Sequence, residues 1–559
     1  MNKFTILTIA IIVFSNVFSD NLSADDAKIT RGLPSAEQIA WHEMEIIMFV
    51  HFSPATWQNR EYDNKSTPLS EINPTKLDTD QWCQVAESFG AKQIIFVAKH
   101  VGDFCWFQTD STEYSIKNTP YQNGKGDVLA DLSKSCKKYG LKLGVYIYPG
   151  NEELGAGIGS GGKTKDPANQ KKAEEFLRQQ WTEVLTRYGK ISELWFDGSC
   201  VVYLDDIIKK YAPKAMVFQG PLATLRWPGN EAGIAPYPTW QTVKTKDKLT
   251  GVSTGRHSDP DGDAWLPMEM DVTFLNHYWF WKPNSDKKMR SVDQLMDIYY
   301  KSVGRGCVLL LNSTPDTTGL IPESHVKRYK EFGRAINNIY QNKVGSTFGP
   351  SKTLTINFDK PTAVNHIITM EDIRLGHIVR KYQIEGLIKN KWQKLIDGYS
   401  VGYKKIDVID TVEVMALRFT ATESVDTPVI KNFTAYNVKD ITKIQKEQDN
   451  KAEWIRVDTW QTSKLAKSWE TIDIDLTKYI QAPGQYEIKF GGIEIKKAVA
   501  VMGQTETPRL TEKSIETLTW NINRTATVTN DLKGQTLFRI QARKTNDNSK
   551  PVLYIRNNK

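Results

Sequence analysis

The sequence predicts an α/β protein, a (β/α)8-like TIM barrel followed by antiparallel β-sandwich domains. Three observations predict this fold class. The chain has 559 residues, more than one hydrophobic core holds, so two to four domains are expected. Up to about residue 340, apolar runs alternate with helical patterns, which is typical of a parallel sheet covered by helices. Beyond that point, short segments alternate between apolar and polar residues, which is typical of antiparallel sheets.

The barrel prediction depends on runs that are apolar throughout, because such strands are buried on both faces. These predicted strands span residues 46–52, 93–100, 142–148, 191–197, 215–219, 268–274 and 307–312. The helical patterns span residues 79–89, 127–139, 166–188, 204–211, 292–303 and 323–340. About eight strands over roughly 300 residues fit a (β/α)8 barrel, and a doubly wound open sheet is the alternative.

The predicted domains follow changes in composition along the chain. Residues 1–24 combine a positive charge, an apolar run and small residues, the pattern of a signal peptide. A secreted or periplasmic protein without a membrane span is therefore expected. Residues 25–340 form the predicted catalytic barrel. It is followed by a β-sandwich over 341–437, a polar linker over 438–452 and a second sandwich-like domain over 453–559.

Charge and cysteine content exclude several classes of function. The formal net charge is +8, from 73 basic and 65 acidic residues that are scattered along the chain, so no nucleic-acid partner is expected. The five cysteines lack a metal-binding spacing and are predicted to be buried free thiols. The eight histidines show no paired ligand spacing. We therefore expect neither a metal nor another cofactor, and the sequence makes no prediction of oligomeric state.

Polar side chains stand at the carboxyl ends of the predicted strands, where barrel enzymes carry their chemistry. The first strand ends on His51 and the second on His100. The third ends on Tyr148 and the fourth on Asp197, while Glu269 lies in a later strand. The predicted fold therefore gathers histidine, tyrosine and two acids at one rim.

Two carboxylates at one rim suit glycoside hydrolysis. In a retaining glycosidase, one carboxylate attacks the anomeric carbon, and the other protonates the leaving oxygen and then activates water. Asp197 precedes Gly198, so an open turn can present its carboxylate. Glu269 lies between Met268 and Met270, and apolar surroundings raise the pKa of a carboxyl group, as a general acid requires. For Asp197, the polar end of a strand is the alternative interpretation.

Several segments of the first domain jointly match one family. They are MFVHFSPATW at 48–57, NREYDN at 59–64, AKHVGDFCWFQTDSTEYSIKN at 98–118, ELWFDG at 193–198, WLPMEMDV at 265–272 and the segment 278–321. Together they resemble the α-L-fucosidases of glycoside hydrolase family 29. The tryptophan, proline and acids of WLPMEMDV resemble the subfamily that acts on α-1,3/1,4 linkages.

The resemblance implies the activity and the roles of individual residues. It implies a retaining exo-glycosidase, with Asp197 as nucleophile and Glu269 as acid/base, that releases terminal α-L-fucose from a fucosylated glycan without a cofactor. It also implies a set of substrate-binding residues at the rim, namely His51, Glu61, His100, Tyr148 and Trp279.

Two departures from the family pattern keep other functions open. The family usually has two adjacent histidines after the second strand, whereas His100 is followed by Val101 here. The third strand of the family often ends on Ser-Pro-Trp, whereas this chain has Tyr148 at that place. A glycosidase for a related sugar such as α-L-galactose is therefore the alternative. A glycan-binding protein without turnover is a further one.

Overall fold

The computed structural model describes residues 31–248 and 258–439, and a set of segments, mostly strands, between residues 455 and 558. The predicted signal peptide at 1–24 lies outside the described residues. So does the predicted linker, except for its first two residues.

The first domain contains a parallel sheet of seven strands. The strands of this domain are β1 (Ile46–Val50), β2 (Gln93–Lys99), β3 (Lys142–Ile147), β4 (Glu193–Trp195), β5 (Met216–Phe218), β6 (Thr242–Val243), β7 (Ala264–Trp265), β8 (Glu269–Val272) and β9 (Val308–Ser313). The sheet order is β5-β4-β3-β2-β1-β9-β8 and every neighbouring pair is parallel, while β6 and β7 form a separate antiparallel pair.

A two-residue segment closes this sheet into a barrel. Phe218 in β5 forms a parallel bridge with Leu225, and Arg226 forms one with Met268, which directly precedes β8. The backbone N–H of Arg226 donates to the carbonyl of Pro267 at 3.0 Å. Leu225 and Arg226 thus occupy the eighth strand position, between β5 and β8. This closure confirms the predicted (β/α)8-like barrel against the open-sheet alternative.

Helices follow most of the strands and cover the barrel. They are α1 (Ala36–His42), α2 (Ala55–Gln58), α3 (Thr79–Ser88), α4 (Val128–Tyr139), α5 (Gln170–Arg187), α6 (Asp205–Tyr211), α7 (Thr245–Lys248), α8 (Val292–Lys301) and α9 (Glu323–Gln341). The ends of α4 show why such boundaries can be predicted. The Asp127 side chain accepts from the backbone of Ala130, and Gly140 ends the helix in the left-handed region.

The second part of the chain folds into a six-stranded antiparallel sheet. Its strands are β10 (Lys343–Pro350), β11 (Thr353–Glu371), β12 (Val379–Ile388), β13 (Lys391–Tyr399), β14 (Lys405–Ser424) and β15 (Val429–Tyr436), in the order β10-β15-β11-β14-β12-β13. The apolar runs at 354–358 and 364–370 belong to one strand, β11, whose pairing with β14 shifts register between Asn357 and Thr362. The shift interrupts the alternation of side chains, so the sequence alone suggests two strands.

The last part of the chain contributes two four-stranded antiparallel sheets. Their strands are β16 (Ile455–Arg456), β17 (Glu470–Asp475), β18 (Gly484–Gly491), β19 (Ile493–Met502), β20 (Thr505–Pro508), β21 (Thr525–Asn530), β22 (Thr536–Lys544) and β23 (Val552–Asn558). The sheet orders are β16-β23-β18-β21 and β17-β22-β19-β20. Antiparallel sheets therefore follow the barrel, as predicted.

The six-stranded sheet shares a core with the barrel. Ile368, Ile406 and Tyr436 belong to the same buried cluster as the barrel helices. The hydroxyl of Tyr300 in α8 lies 2.8 Å from Nε2 of His366 in β11, and both side chains are buried. The barrel and this sheet are therefore packed as one body.

The cysteines agree with the sequence-based prediction. All five are free thiols, buried at Cys83, Cys105, Cys136 and Cys307 and half-buried at Cys200. Within the part of the chain that the structure describes, no helix has both the length and the apolar character needed to cross a membrane.

Candidate active site

A cavity of about 990 Å³ opens at the carboxyl ends of the barrel strands. Its lining comes from the ends of β1, β3, β4, β5 and β8 and from the loops that follow them. Five of the predicted site residues line it, namely His51, Glu61, His100, Asp197 and Trp279. Two others, Tyr148 and Glu269, do not. The rim therefore carries a pocket of the size that holds small-molecule ligands.

Asp197 stands at the end of β4, where Gly198 turns the chain. Gly198 has a φ of +66°, and a side chain there would lie 3.4 Å from the backbone of Gly159. The hydroxyl of Tyr146 donates to Oδ2 of Asp197 at 2.9 Å. Burial raises the pKa of Asp197, while hydrogen bonds from Tyr146 and from the backbone of Gly198 oppose this shift. The aspartate is thus held by a fixed donor beside the cavity.

His51 and His100 supply neutral imidazoles to the cavity wall. Burial holds the pKa of His51 well below its usual value, with the neighbouring His100 as a second cause, and burial lowers the pKa of His100 to about 3. Nδ1 of His51 lies 2.7 Å from Oδ1 of Asn312 in β9. The Tyr62 ring lies parallel to His100 at a centroid distance of 6.0 Å. Neutral rings of this kind bind sugar hydroxyls by hydrogen bonds.

Glu61 fixes the loop that carries Trp279. Its Oε2 accepts from the backbone N–H of Trp279 at 2.8 Å, and its Oε1 forms an ion pair with Lys282 at 2.6 Å. The side-chain amide of Asn312 donates to the carbonyl of Trp279 at 2.8 Å. Glu61 therefore lines the cavity and also positions an aromatic wall residue.

Glu231 also lines the cavity, although the sequence did not single it out. Its Oε2 accepts from Nε1 of Trp279 at 3.2 Å. Partial burial of its carboxyl group raises the pKa of Glu231, and the nearby carboxylates of Asp197 and Glu61 raise it further. Glu231 is solvent-exposed, and it lies shortly after the two-residue strand at 225–226. Its glycine-flanked segment, WPGNEAG, follows no apolar run, so periodicity gave no signal for it.

Asp271 is a further carboxyl group that lines the cavity. It is almost fully buried, and its Oδ1 accepts from Nε1 of Trp227 at 2.9 Å. Burial raises its pKa well above the usual value, with the charge of Glu231 as the next cause. Trp227 lines the same cavity, so Asp271 positions a wall residue.

The prediction that Glu269 faces the sugar is corrected by the structure. Glu269 is completely buried, and its Oε2 accepts from Nε1 of Trp195 at 2.8 Å. Trp195 lines the cavity, so Glu269 lies behind this wall. Glu269 and Asp271 both point into the barrel because they are two residues apart, but they differ in depth by about 6–7 Å along the strand. The deeper of the two acids does not reach the cavity.

The prediction for Tyr148 is corrected in the same way. The strand β3 ends at Ile147, and the chain then turns so that the Tyr148 ring lies against Gly150. The carbonyl of Tyr148 accepts from Nζ of the buried Lys99 at 3.0 Å. The cavity is lined instead by Tyr62 and Tyr146, neither of which the sequence analysis selected.

The barrel is closed, and the cavity at its rim holds carboxyl groups among aromatic and histidine side chains. This is the architecture of a glycoside hydrolase. Comparison with known proteins gives the family. The Alpha-L-fucosidase family model matches residues 31–339, and the chain belongs to this family. It is a glycoside hydrolase, as the sequence motifs indicated.

The relatives agree with this assignment. Alpha-L-fucosidase 1 of Arabidopsis thaliana is 31% identical over 454 residues, which cover 72% of this chain and 87% of the plant protein. A crystal structure from Bacteroides thetaiotaomicron, provisionally described as an α-L-fucosidase, is 34% identical with a TM-score of 0.69, and covers 73% of this chain and 100% of its own. A glycoside hydrolase 29 family member from an unknown rumen bacterium shares the fold over 95% of this chain and 97% of its own, at 24% identity and a TM-score of 0.66.

Proposed function

We propose that the protein is a retaining exo-α-L-fucosidase, with Asp197 as the nucleophile and Glu231 as the acid/base. The observation that carries the proposal is the presence of both carboxyl groups in one cavity of a fucosidase-family barrel. Three buried aromatic residues, Phe49, Trp195 and Phe218, line this cavity and suit the apolar face of a terminal sugar.

The two steps of the reaction follow from the protonation states of Asp197 and Glu231. Ionised Asp197 attacks the anomeric carbon, the glycosidic bond breaks, and Glu231 gives its proton to the departing oxygen. A fucosyl ester of Asp197 results. Glu231, now ionised, takes a proton from water as the water oxygen attacks the anomeric carbon. The bond from this carbon to the Asp197 oxygen breaks, which releases fucose and free Asp197. Two inversions give net retention of the α configuration.

Glu231 suits the acid/base role better than Asp271 does. A general acid must meet the leaving group at the cavity mouth and must regain its proton from solvent. Glu231 is exposed there, whereas Asp271 is almost fully buried and already accepts the indole hydrogen of Trp227. The raised pKa of Glu231 keeps more of this group protonated near neutral pH.

An apolar wall favours fucose over L-galactose. Phe49, Trp195 and Phe218 present aromatic rings, and the N–H of Trp195 is donated to Glu269 and is not available to a ligand. The methyl group of fucose packs against such a wall, whereas the hydroxymethyl group of L-galactose would lose hydrogen bonds to water. We expect kcat/KM for an aryl α-L-fucoside to exceed that for the matched α-L-galactoside by about 10²-fold.

Export from the cytoplasm is the second part of the proposal. It is supported by the positive charge and apolar run within residues 1–24. Mass spectrometry of the mature protein from its producing cell tests it, because export predicts loss of this segment. A mature chain that keeps residue 1 in the cytoplasm would contradict it.

The activity is tested by comparing wild type, Asp197→Ala and Glu269→Gln on an aryl α-L-fucoside and an aryl α-L-galactoside. Asp197→Ala should fold and lose hydrolysis, and azide should restore turnover by replacing the missing nucleophile. Glu269→Gln should keep turnover, because Glu269 lies outside the cavity. Full activity of Asp197→Ala, or faster turnover of the galactoside, would overturn the assignment.

A further inference from the structure

Two glutamates occupy the barrel interior beneath the cavity. Glu193 is the first residue of β4 and Glu269 is the first residue of β8, and neither side chain has any exposed surface. Space for Glu193 depends on Gly144 in β3, where a Cβ would lie 3.2 Å from the Cβ of Glu193 and 2.8 Å from Ile95. Charged groups are rarely buried so completely unless they are paired.

Each glutamate uses one oxygen to accept hydrogen bonds from the barrel. Oε2 of Glu193 accepts from the side-chain amide of Gln93 at 2.7 Å and from Nε1 of Trp41 at 3.2 Å. Oε2 of Glu269 accepts from Nε1 of Trp195 at 2.8 Å. Three donors thus serve two oxygens, and all three side chains that donate are buried.

The other two oxygens have no such donor. Oε1 of Glu193 and Oε1 of Glu269 are both buried, and neither has an N–H or O–H donor among the residues that the structure describes. A hydrogen bond between the two carboxyl groups lowers the pKa of Glu193 and raises that of Glu269. Two carboxylates in contact would repel, and two unpaired acceptors would each carry a desolvation cost. A proton shared by the two carboxyl groups removes the repulsion and gives the two oxygens a hydrogen bond.

We propose that Glu193 and Glu269 share one proton in a buried carboxyl–carboxylate pair that positions Trp195 as a wall of the sugar cavity. The pair anchors the indole through the N–H of Trp195, whose ring stacks on Phe218 at 4.0 Å and on Tyr146 at 5.2 Å. Tyr146 in turn donates to Asp197. The two glutamates are positioning residues, because they act on the substrate only through Trp195.

The pair makes the stability of the barrel depend on pH. The charged groups that face it are Asp271 on β8 and Lys142 at the start of β3. Burial and mutual repulsion raise the pKa of Glu269 well above its usual value, so the folded pair keeps a proton that the unfolded chain releases above pH about 4.5. The contribution of the pair to stability is therefore fully present below that pH and is lost as pH rises, by up to about tenfold per pH unit in the unfolding equilibrium.

Infrared difference spectroscopy at pH 8 tests the shared proton directly. We expect the wild type to show the carbonyl band of a protonated carboxyl group, and Glu193→Gln and Glu269→Gln each to lose the whole band. Glu371→Gln is the matched control, since Glu371 is buried with backbone donors to both oxygens and lies in the six-stranded sheet. Survival of a band in either single variant would show two separate protons, and absence of a band in the wild type would show none. Either result overturns the proposal.

The pH dependence of unfolding supplies a second readout. Above pH about 4.5, the unfolding equilibrium constant of the wild type should rise with pH more steeply than that of either glutamine variant, by up to about tenfold per pH unit. Equal slopes in all three proteins would contradict a shared proton. Neither this measurement nor the infrared band depends on fucoside hydrolysis, so the proposed function can fail without affecting them.

The positioning role rests on the proposed function and needs a kinetic readout. Glu269→Leu removes the acceptor of the Trp195 N–H, and we expect kcat/KM for an aryl α-L-fucoside to fall about tenfold, mainly through KM. Glu269→Gln keeps a carbonyl oxygen for this bond and should recover most of the loss. If Glu269→Gln binds substrate as poorly as Glu269→Leu, the role in holding Trp195 is wrong.

Discussion

The hydrogen bond from Tyr146 to Asp197 affects the pH dependence of the proposed reaction, because it stabilises the ionised nucleophile. The nucleophile must be ionised to attack, and burial works against ionisation of Asp197. The Tyr146 hydroxyl donates to Oδ2 at 2.9 Å and stabilises the carboxylate. A hydrogen bond to a charged group contributes about 1.5–3 kcal/mol, enough to decide the ionisation of the aspartate near neutral pH.

Substitution of Tyr146 by phenylalanine should therefore move the acidic limb of the pH–activity profile. Loss of the donor raises the pKa of Asp197, so the free enzyme needs a higher pH to ionise its nucleophile. We expect the acidic limb of kcat/KM to shift upward by about one to two pH units. An unchanged acidic limb in Tyr146→Phe would mean that another group controls it.

Substitution of Glu231 by glutamine tests the second catalytic residue. General acid catalysis contributes about 10²–10⁴-fold, so kcat/KM should fall by this factor for a fucoside with a poor leaving group. The loss should be smaller for an activated aryl fucoside, because its phenolate departs without a proton. Asp271→Asn serves as the matched control, and a larger, leaving-group-dependent loss in that variant would move the acid/base role to Asp271.

At the scale of elements, the depth of each residue within the barrel decides its role. The strand β8 places Glu269 and Asp271 on the same inner face, one layer apart. The sequence pattern identifies the inner face, because it depends on a period of two. It does not identify the layer that opens to solvent, because this depends on the lengths of all eight strands and on the loops above them. This is why Asp197 was placed correctly in the cavity and Glu269 was not.

Most of the barrel could be predicted for a related reason. Its longer strands are continuous apolar runs, and helix boundaries such as Asp127 and Gly140 carry clear capping signals. The segment that closes the barrel could not be located from the sequence, because a strand of two residues has no periodicity. Glu231 was missed with it, since its place in the cavity depends on that closure. Tyr148 was misplaced because the turn after β3 breaks the alternation that Tyr146 obeys.

The stability of the segment that closes the barrel should depend on its buried residue Arg226. The side chain of Arg226 is completely buried, and it donates to the carbonyls of Leu266 and Trp240, each at 2.6 Å. Lysine cannot reproduce this planar arrangement of donors. We expect Arg226→Lys to lower the free energy of unfolding by about 1.5–3 kcal/mol, measured by urea denaturation at pH 7. Unaltered stability would show that the closure does not depend on the guanidinium.

For the whole molecule, the six-stranded sheet is a structural part of the barrel domain. Ile368, Ile406 and Tyr436 complete the barrel core, and Lys404 forms an ion pair with Glu45, which lies just before β1. The Bacteroides thetaiotaomicron structure is covered in full although it spans 73% of this chain, so the remainder of this chain has no counterpart in it. The barrel and the first sheet therefore form one structural body.

Truncation should separate these parts. A chain ending at residue 340 lacks Ile368, Ile406 and Tyr436 and would expose their barrel partners. The loss of each buried side chain would lower the free energy of unfolding by about 1.5–3 kcal/mol. We expect this fragment to be insoluble or unfolded. A chain ending at residue 439 keeps the shared core and should keep fucosidase activity. Circular dichroism and aryl-fucoside assays of the two fragments check this. A soluble, folded and active fragment ending at 340 would contradict the shared core.

The central claim, a covalent fucosyl intermediate on Asp197, is tested most directly by trapping that intermediate. A 2-fluoro-substituted fucosyl fluoride slows the second step more than the first, so the ester accumulates, and peptide mass spectrometry then locates the sugar. The account predicts one fucosyl group on the peptide that contains Asp197, and none in Asp197→Ala. Labelling of Glu231 or Asp271 instead, or inhibition without a covalent adduct, would contradict it.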